Sequence, residues 1–315
     1  MQVDNKPEKN FISAVVYVHN HEQYLESFIK KIKILLNNKF EKYELIFVND
    51  SSTDKSSEII KLGMSSEEHF SCTVVNLSYK HGIERAMIAG QDIAIGDFVY
   101  EFDTPIIDYE MDEIIKVYNT CLQGFDIVSA SSATKNKMTS QFFYKLFRRY
   151  SNNNIALNTE RFRIISRRGI NRIKNLSEII PYRKAIYFNS GLKTNNITYK
   201  PIIDIEKCIN TVRFGERADF AINILLFFTN IGWKISSFMS IGMVIFSMFM
   251  GGYTITMWIS NDSVVEGWTT IMLFLSIVFS AVFILLSIII KYISLILFIN
   301  TNKQDYVFES IEKVK

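Results

Sequence analysis

The apolar positions of this chain fall into two regimes. Through about residue 230, short apolar runs alternate with segments whose apolar residues recur every three or four positions. Runs at 12–18, 43–48, 72–77, 98–102 and 125–130 are rich in β-branched and aromatic residues and are bounded by polar turns, which predicts five buried strands. Between the first two, Leu25, Phe28, Ile29, Ile32, Leu35 and Leu36 lie at helical spacing over 24–36. Helices are predicted likewise over 56–62, 82–95 and 111–122. Continuous apolar strands alternating with helices on short links predict an α/β fold with a mostly parallel sheet covered on both faces.

The second regime begins near residue 231. Residues 235–259 form an apolar stretch without a charge, and 271–290 form another that Lys291 ends. At ~1.5 Å per residue the first reaches ~37 Å, enough to cross a ~30 Å hydrocarbon core with tilt. The loop between them holds Asp262 and Glu266 but no Lys or Arg, whereas Lys234, Lys291 and Lys303 lie on the other side. This bias predicts a two-helix transmembrane hairpin in the cytoplasmic membrane, multi-pass, with both termini and the N-terminal domain cytoplasmic. Trp258 and Trp268 sit where interfacial aromatics are expected. Gly251 and Gly252 permit close helix packing and favour a homo-oligomer. Residues 138–150 and 219–229 read as amphipathic or strongly apolar helices suited to a membrane interface.

Composition narrows the partners. Of 315 residues 48% are hydrophobic, and the net charge of +3 is too small to argue for nucleic acid. Cys72, Cys121 and Cys208 are far apart and form no C-x-x-C pair, against a zinc or redox motif. The first apolar run has neither a basic start nor a cleavage site, so it is read as a strand rather than a signal peptide.

The chemistry concentrates after the fourth strand. Glu101 and Asp103 are two apart and therefore share a face. Carboxylates at the carboxyl end of a strand in an open α/β sheet lie where ligands bind. A pair suits a hard divalent cation and, through it, a diphosphate. No G-x-G-x-x-G follows the first strand and no P-loop occurs, which excludes the usual dinucleotide and P-loop readings.

Several segments together resemble the family 2 glycosyltransferases, most closely the membrane-bound polyprenyl-phosphate glycosyltransferases. Val16-Tyr17-Val18-His19-Asn20-His21-Glu22 stands where that family has V-P-x-Y-N-E-E, and Phe47 through Asp54 matches V-D-D-G-S-T-D. Gly82 through Gly90 matches G-x-x-x-A-x-x-A-G. Gly96-Asp97 leads to Asp103 at the first position of D-x-D, with Pro105 replacing the second Asp and Asp108 retained. Thr159 through Arg168 resembles G-D-F-R-L-x-x-R-R, with Arg161 at the position of the presumed catalytic Asp. Val212 through Arg217 resembles R-x-x-G-x-S-K-Y.

The resemblance implies a GT-A-like, Rossmann-type fold and a divided chain. Its parts are a nucleotide-sugar-binding core at 1–135, an acceptor-side segment at 136–230, two transmembrane helices at 231–300 and a cytoplasmic tail at 301–315. It implies donor contacts at Tyr17, His19, Glu22, Asp50, Gly82 and Asp103, and Mg2+ or Mn2+ held by Asp103 and Glu101. Catalytic roles fall to Asp103 and, as the neighbour of the lost Asp, to Glu160. Arg163, Arg213 and Arg217 are the candidates for an acceptor phosphate, which guanidinium forks bind well. The implied reaction moves a sugar from a nucleotide-diphosphate sugar to undecaprenyl phosphate at the lipid bilayer, for cell-surface polysaccharide. A phosphate largely dianionic at neutral pH needs no base, whereas a hydroxyl acceptor does. Two alternatives are a binding or scaffold protein that lost turnover, and a transferase acting on the hydroxyl of a lipid-linked saccharide.

Overall fold

The predicted strands assemble around the first of them. In the computed structural model β1 (Ile12–Val18) pairs in parallel with β2 (Tyr43–Asn49) and with β4 (Phe98–Phe102), and β2 pairs in parallel with β3 (Phe70–Leu77). Every residue of β1 and β2 is buried, as strands covered on both faces must be. Residues 7–64, 70–133, 160–176, 190–203 and 306–314 are described, with Arg183, Ile186, Tyr187, part of 238–249, and 268–301.

The helices follow the predicted spacing. They are α1 (Glu22–Lys39), α2 (Ser56–Gly63), α3 (Ile83–Ile93) and α4 (Asp112–Cys121). The apolar stripe of α1, formed by Leu25, Phe28, Ile29, Ile32 and Leu36, is buried. Phe28 meets Phe102 edge-on at 5.4 Å between centroids. Helix α3 lies so close to the sheet that a Cβ on Gly90 would stand 2.3 Å from Val15 Cγ1 and 2.8 Å from Val48 Cγ2. That contact explains the glycine within an otherwise ordinary helix.

The rest of the sheet departs from a parallel arrangement. β5 (Ile127–Ser132), β6 (Glu160–Ser166) and β7 (Thr194–Tyr199) extend it beyond β4, in the order β7-β5-β6-β4-β1-β2-β3-β8. β6 runs antiparallel between β4 and β5, and α5 (Arg167–Leu176) follows it directly. The segment expected to be a cytoplasmic tail instead contributes β8 (Phe308–Lys313), antiparallel to β3 at the far edge. The sheet is therefore mixed. β6 pairs with β4 about sixty residues before it, and β8 with β3 more than two hundred residues before it, pairings that local periodicity does not announce.

The chain divides into two compact units: one takes in 1–144, 155–211 and 303–315, the other 145–154 and 212–302. The second contains α6 (Trp268–Thr301), a 34-residue helix that includes the whole second predicted span. Among the described residues there is no transmembrane hairpin, because most of 235–259 lies outside them. Among the described residues no helix is long and apolar enough to cross a membrane. The sequence of α6 is uncharged from residue 271 through 290. The interfacial helices expected at 138–150 and 219–229, and Arg213, Arg217, Gly251 and Gly252, lie outside the described residues.

Candidate active site

Two groups of residues meet at the carboxyl ends of the parallel strands. The first is built on the loops after β1, β2 and β3. The loops after β1 and β2 are stitched to each other by polar side chains on backbone groups. Asn20 N donates to Ser52 Oγ at 3.1 Å, Thr53 N to Asn20 Oδ1 at 2.8 Å, and His21 N to Ser56 Oγ at 3.0 Å. Glu22 N donates to Asp54 Oδ2 at 3.0 Å, and Lys55 N returns to Glu22 Oε2 at 3.1 Å. Asp54 Oδ1 also accepts from Ser56 N at 3.0 Å, so Asp54 rather than Asp50 serves the start of α2.

Asp50 is the hub of this group and is completely buried. Its Oδ2 accepts from Tyr17 Oη at 3.0 Å and Gly82 N at 2.9 Å, and its Oδ1 from His81 N at 2.7 Å. One carboxylate thus ties the end of β1 to the loops after β2 and β3. Gly82 begins α3 with φ +86, a conformation that favours glycine. His19 Nδ1 lies 2.8 Å from the Asp50 carbonyl oxygen. Burial, and then Asp50, push the Tyr17 hydroxyl pKa up. Burial, and then the neighbouring His19, lower His21 to about 4, and its Nδ1 accepts the His19 N–H at 3.1 Å. Asp50 and Tyr17, expected as donor contacts, have partners within the protein. Glu22 is likewise held by Lys55.

The second group is charged. Glu101 and Asp103 share a face of β4, as their spacing predicts, and meet two completely buried arginines. Arg163 of β6 reaches Glu101 Oε2 at 2.9 Å, Asp103 Oδ2 at 3.2 Å and Glu160 Oε2 at 3.1 Å. Arg183 reaches Asp103 Oδ1 at 3.0 Å, Glu84 Oε2 at 3.0 Å and Glu101 Oε2 at 2.8 Å. The last is a charge contact outside hydrogen-bond geometry. Tyr187 Oη donates to Glu101 Oε1 at 2.9 Å, Gln91 Nε2 donates to the same oxygen, and the Arg163 guanidinium lies 5.4 Å from the Tyr187 ring centroid. Burial works against the charge on both arginines, but the carboxylates outweigh it and push their pKa values up.

Three expectations need correction here. Arg163, expected at an acceptor phosphate, is sealed from solvent, and three carboxylates take up its guanidinium. Glu160, expected as a base, is buried and faces Arg163; a bulge in the β5–β6 pairing between Ala130 and Ser131 lets residues 160 and 163 meet. Glu101, expected on a metal, has each oxygen engaged by protein donors. Asp103 does stand at the strand end, with both oxygens accepting from guanidinium groups. Arg161, at the position of the family's Asp, pairs with buried Asp108 at 3.3 Å. Burial raises the Asp108 pKa against the pull of Tyr199 and Arg161.

Glu84, Gln91, Arg183 and Tyr187 belong to the site but were not singled out from the sequence. Glu84 and Gln91 are seven apart on α3, hence on one helical face, a signal that was available. No such pattern announces Arg183 or Tyr187.

A mixed α/β sheet with acidic residues at the carboxyl end of β4 is the arrangement of a GT-A-type glycosyltransferase. Residues 13–189, more than half of the chain, match the model of glycosyl transferase family 2. The chain belongs to that family. It is 24% identical over 292 residues to "Uncharacterized glycosyltransferase YkcC" of Bacillus subtilis (strain 168), covering 89% of this chain and 88% of that one. It is 28% identical over 246 residues to "Prophage bactoprenol glucosyl transferase homolog" of Escherichia coli (strain K12), covering 76% and 72%. Among solved structures, glucosyl-3-phosphoglycerate synthase from Mycobacterium tuberculosis, in complex with Mn2+, UDP-glucose and phosphoglyceric acid, has a TM-score of 0.50 at 14% identity. That match covers 69% of this chain and 78% of that one, and shares the fold.

Proposed function

We propose that this glycosyltransferase moves a sugar from a nucleotide-diphosphate sugar to undecaprenyl phosphate at the cytoplasmic face of the inner membrane. The observation that carries the acceptor is Arg161. Its position in the family pattern belongs to the presumed base, and here a cation stands there, paired to Asp108. A hydroxyl acceptor would be left without its proton acceptor, whereas a phosphate dianion requires none. The acceptor oxygen bonds to the anomeric carbon as the bond to the donor's diphosphate breaks, and the nucleoside diphosphate leaves with that electron pair. The bactoprenol name of a relative covering most of the chain supports the same acceptor.

The stitched loops around Asp50 would hold the nucleoside, and the Asp103 end of β4 would face the diphosphate. Family likeness implies Mg2+ or Mn2+ there. The residues present do not fit a cation as arranged, since both Asp103 oxygens and both Glu101 oxygens already have donors and Pro105 offers none. Helix α6 supports membrane attachment. Its described surface exposes Ile271, Phe279, Ile284, Ile290 and Ile296, which water penalises and lipid does not.

Purified protein incubated with radiolabelled UDP- and GDP-sugars and undecaprenyl phosphate is expected to yield label extractable into organic solvent. No such label with any donor, with or without a divalent cation, would overturn the reading. A second reading, a binding protein without turnover, is favoured by the saturation of Asp103. It requires that a nucleotide sugar bind while that assay stays blank.

A further inference from the structure

Divalent cations bind carboxylates through oxygens that project free lone pairs into space open to the ion and its waters. Asp103 is the residue from which such a site would be built here, and both of its oxygens accept from guanidinium groups. Arg183 Nη2 donates to Oδ1 at 3.0 Å and Arg163 Nη2 to Oδ2 at 3.2 Å. Both guanidinium groups are completely buried and held in place from other sides, Arg163 by Glu101 and Glu160 and Arg183 by Glu84 and Glu101. The Arg183 backbone N–H also donates to Glu84 Oε2 at 2.9 Å, so main chain and side chain grip the same carboxylate. An ion approaching Asp103 would have to evict an arginine, leaving buried Glu101 with one counter-charge instead of two and Glu84 or Glu160 without its guanidinium partner.

We propose that Arg183, together with Arg163, replaces a divalent cation in holding Asp103, and that the donor site of this chain works without one. Arg183 is a positioning residue. Through Glu84 it joins the strand end at Asp103 to the first turn of α3, whose preceding glycine is held by Asp50. The spatial order is Asp50, Gly82, Glu84, Arg183, Asp103, which links the nucleoside end of the proposed donor site to its diphosphate end. This extends the proposed function, but its test uses the metal alone and so fails independently of the lipid-transfer assay.

The experiment counts Mn2+ ions bound to the full chain in detergent, from loss of the free-ion electron spin resonance signal, for four proteins: wild type, Asp103→Asn, Arg183→Gln and Arg183→Gln/Asp103→Asn. Wild type and Asp103→Asn are expected to bind the same number. Arg183→Gln is expected to gain one ion, at least about tenfold tighter than any at Asp103 in wild type, and the double variant to lose it. A purely structural Arg183 would change stability and leave the Mn2+ count alone. The proposal is overturned if Asp103→Asn removes an ion from the otherwise wild-type protein, or if folded Arg183→Gln gains none. Should Arg183→Gln not fold, the wild-type and Asp103→Asn pair decides alone.

Discussion

The two halves of the site are held by different means. Around Asp50, one carboxylate collects two backbone N–H groups and a tyrosine hydroxyl, and the loops beside it are stitched by short polar side chains. Around Asp103, four carboxylates and two guanidinium groups hold one another with little help from the backbone. The first kind of site is local: each partner lies at the end of a neighbouring strand. The second is assembled from β4, β6, α3 and the segment around residue 183, and is only as rigid as its charge pairing. Removing one member of the Asp50 group leaves ordinary hydrogen bonds unmade. Removing one arginine strands buried charges.

The sharpest break is Arg163→Met. It leaves Glu101, Asp103 and Glu160 short of a counter-charge, with an expected loss of about 3–5 kcal/mol in chemical denaturation and loss of transfer activity. Asp50→Ala should cost less, about 1–3 kcal/mol, because the N–H groups of His81 and Gly82 lose their acceptor. It should weaken nucleotide binding, read by calorimetry, more than it slows transfer at saturating donor. Gly90→Ala strikes the helix common to both halves. The new methyl meets Val15 and Val48, and about 1–3 kcal/mol of overpacking is expected in the same denaturation experiment.

A further effect is in acid. The folded chain holds His21 near 4 against its ordinary 6.5, so between those values the unfolded chain takes up a proton that the folded chain refuses. The contribution is present above pH 6.5 and fades as pH falls toward 4. A His21→Asn variant should lose less stability than wild type over that window, measured by denaturation at several pH values.

The difference between the halves also governs what could be read in advance. The strands at 12–18 and 98–102, the helix stripe of α1 and the positions of Asp50 and Asp103 follow from periodicity and from motifs spanning neighbouring residues. Arg183 does not, because its partners lie about eighty to a hundred residues away and no pattern around it repeats. Arg163 was picked out, but for a phosphate: a guanidinium fork looks the same in sequence whether a ligand or a carboxylate of its own chain fills it. The β6 bulge that turns Glu160 toward Arg163 is equally silent, since a single-residue slip in pairing leaves no mark on composition. β8 was missed because six residues of mixed polarity after an apolar helix read as an ordinary tail.

That last strand bears on the order in which the molecule can be completed. β8 covers the edge of β3, and just before it Val307 N donates to His81 Nε2, beside the residues that bind Asp50. During synthesis these residues emerge only after both greasy segments have been made. Until then a nascent chain carries an unpaired sheet edge of the kind that recruits foreign strands, and His81 lacks its contact with Val307. The sheet of the catalytic domain is therefore completed only once the apolar second part of the chain has been made.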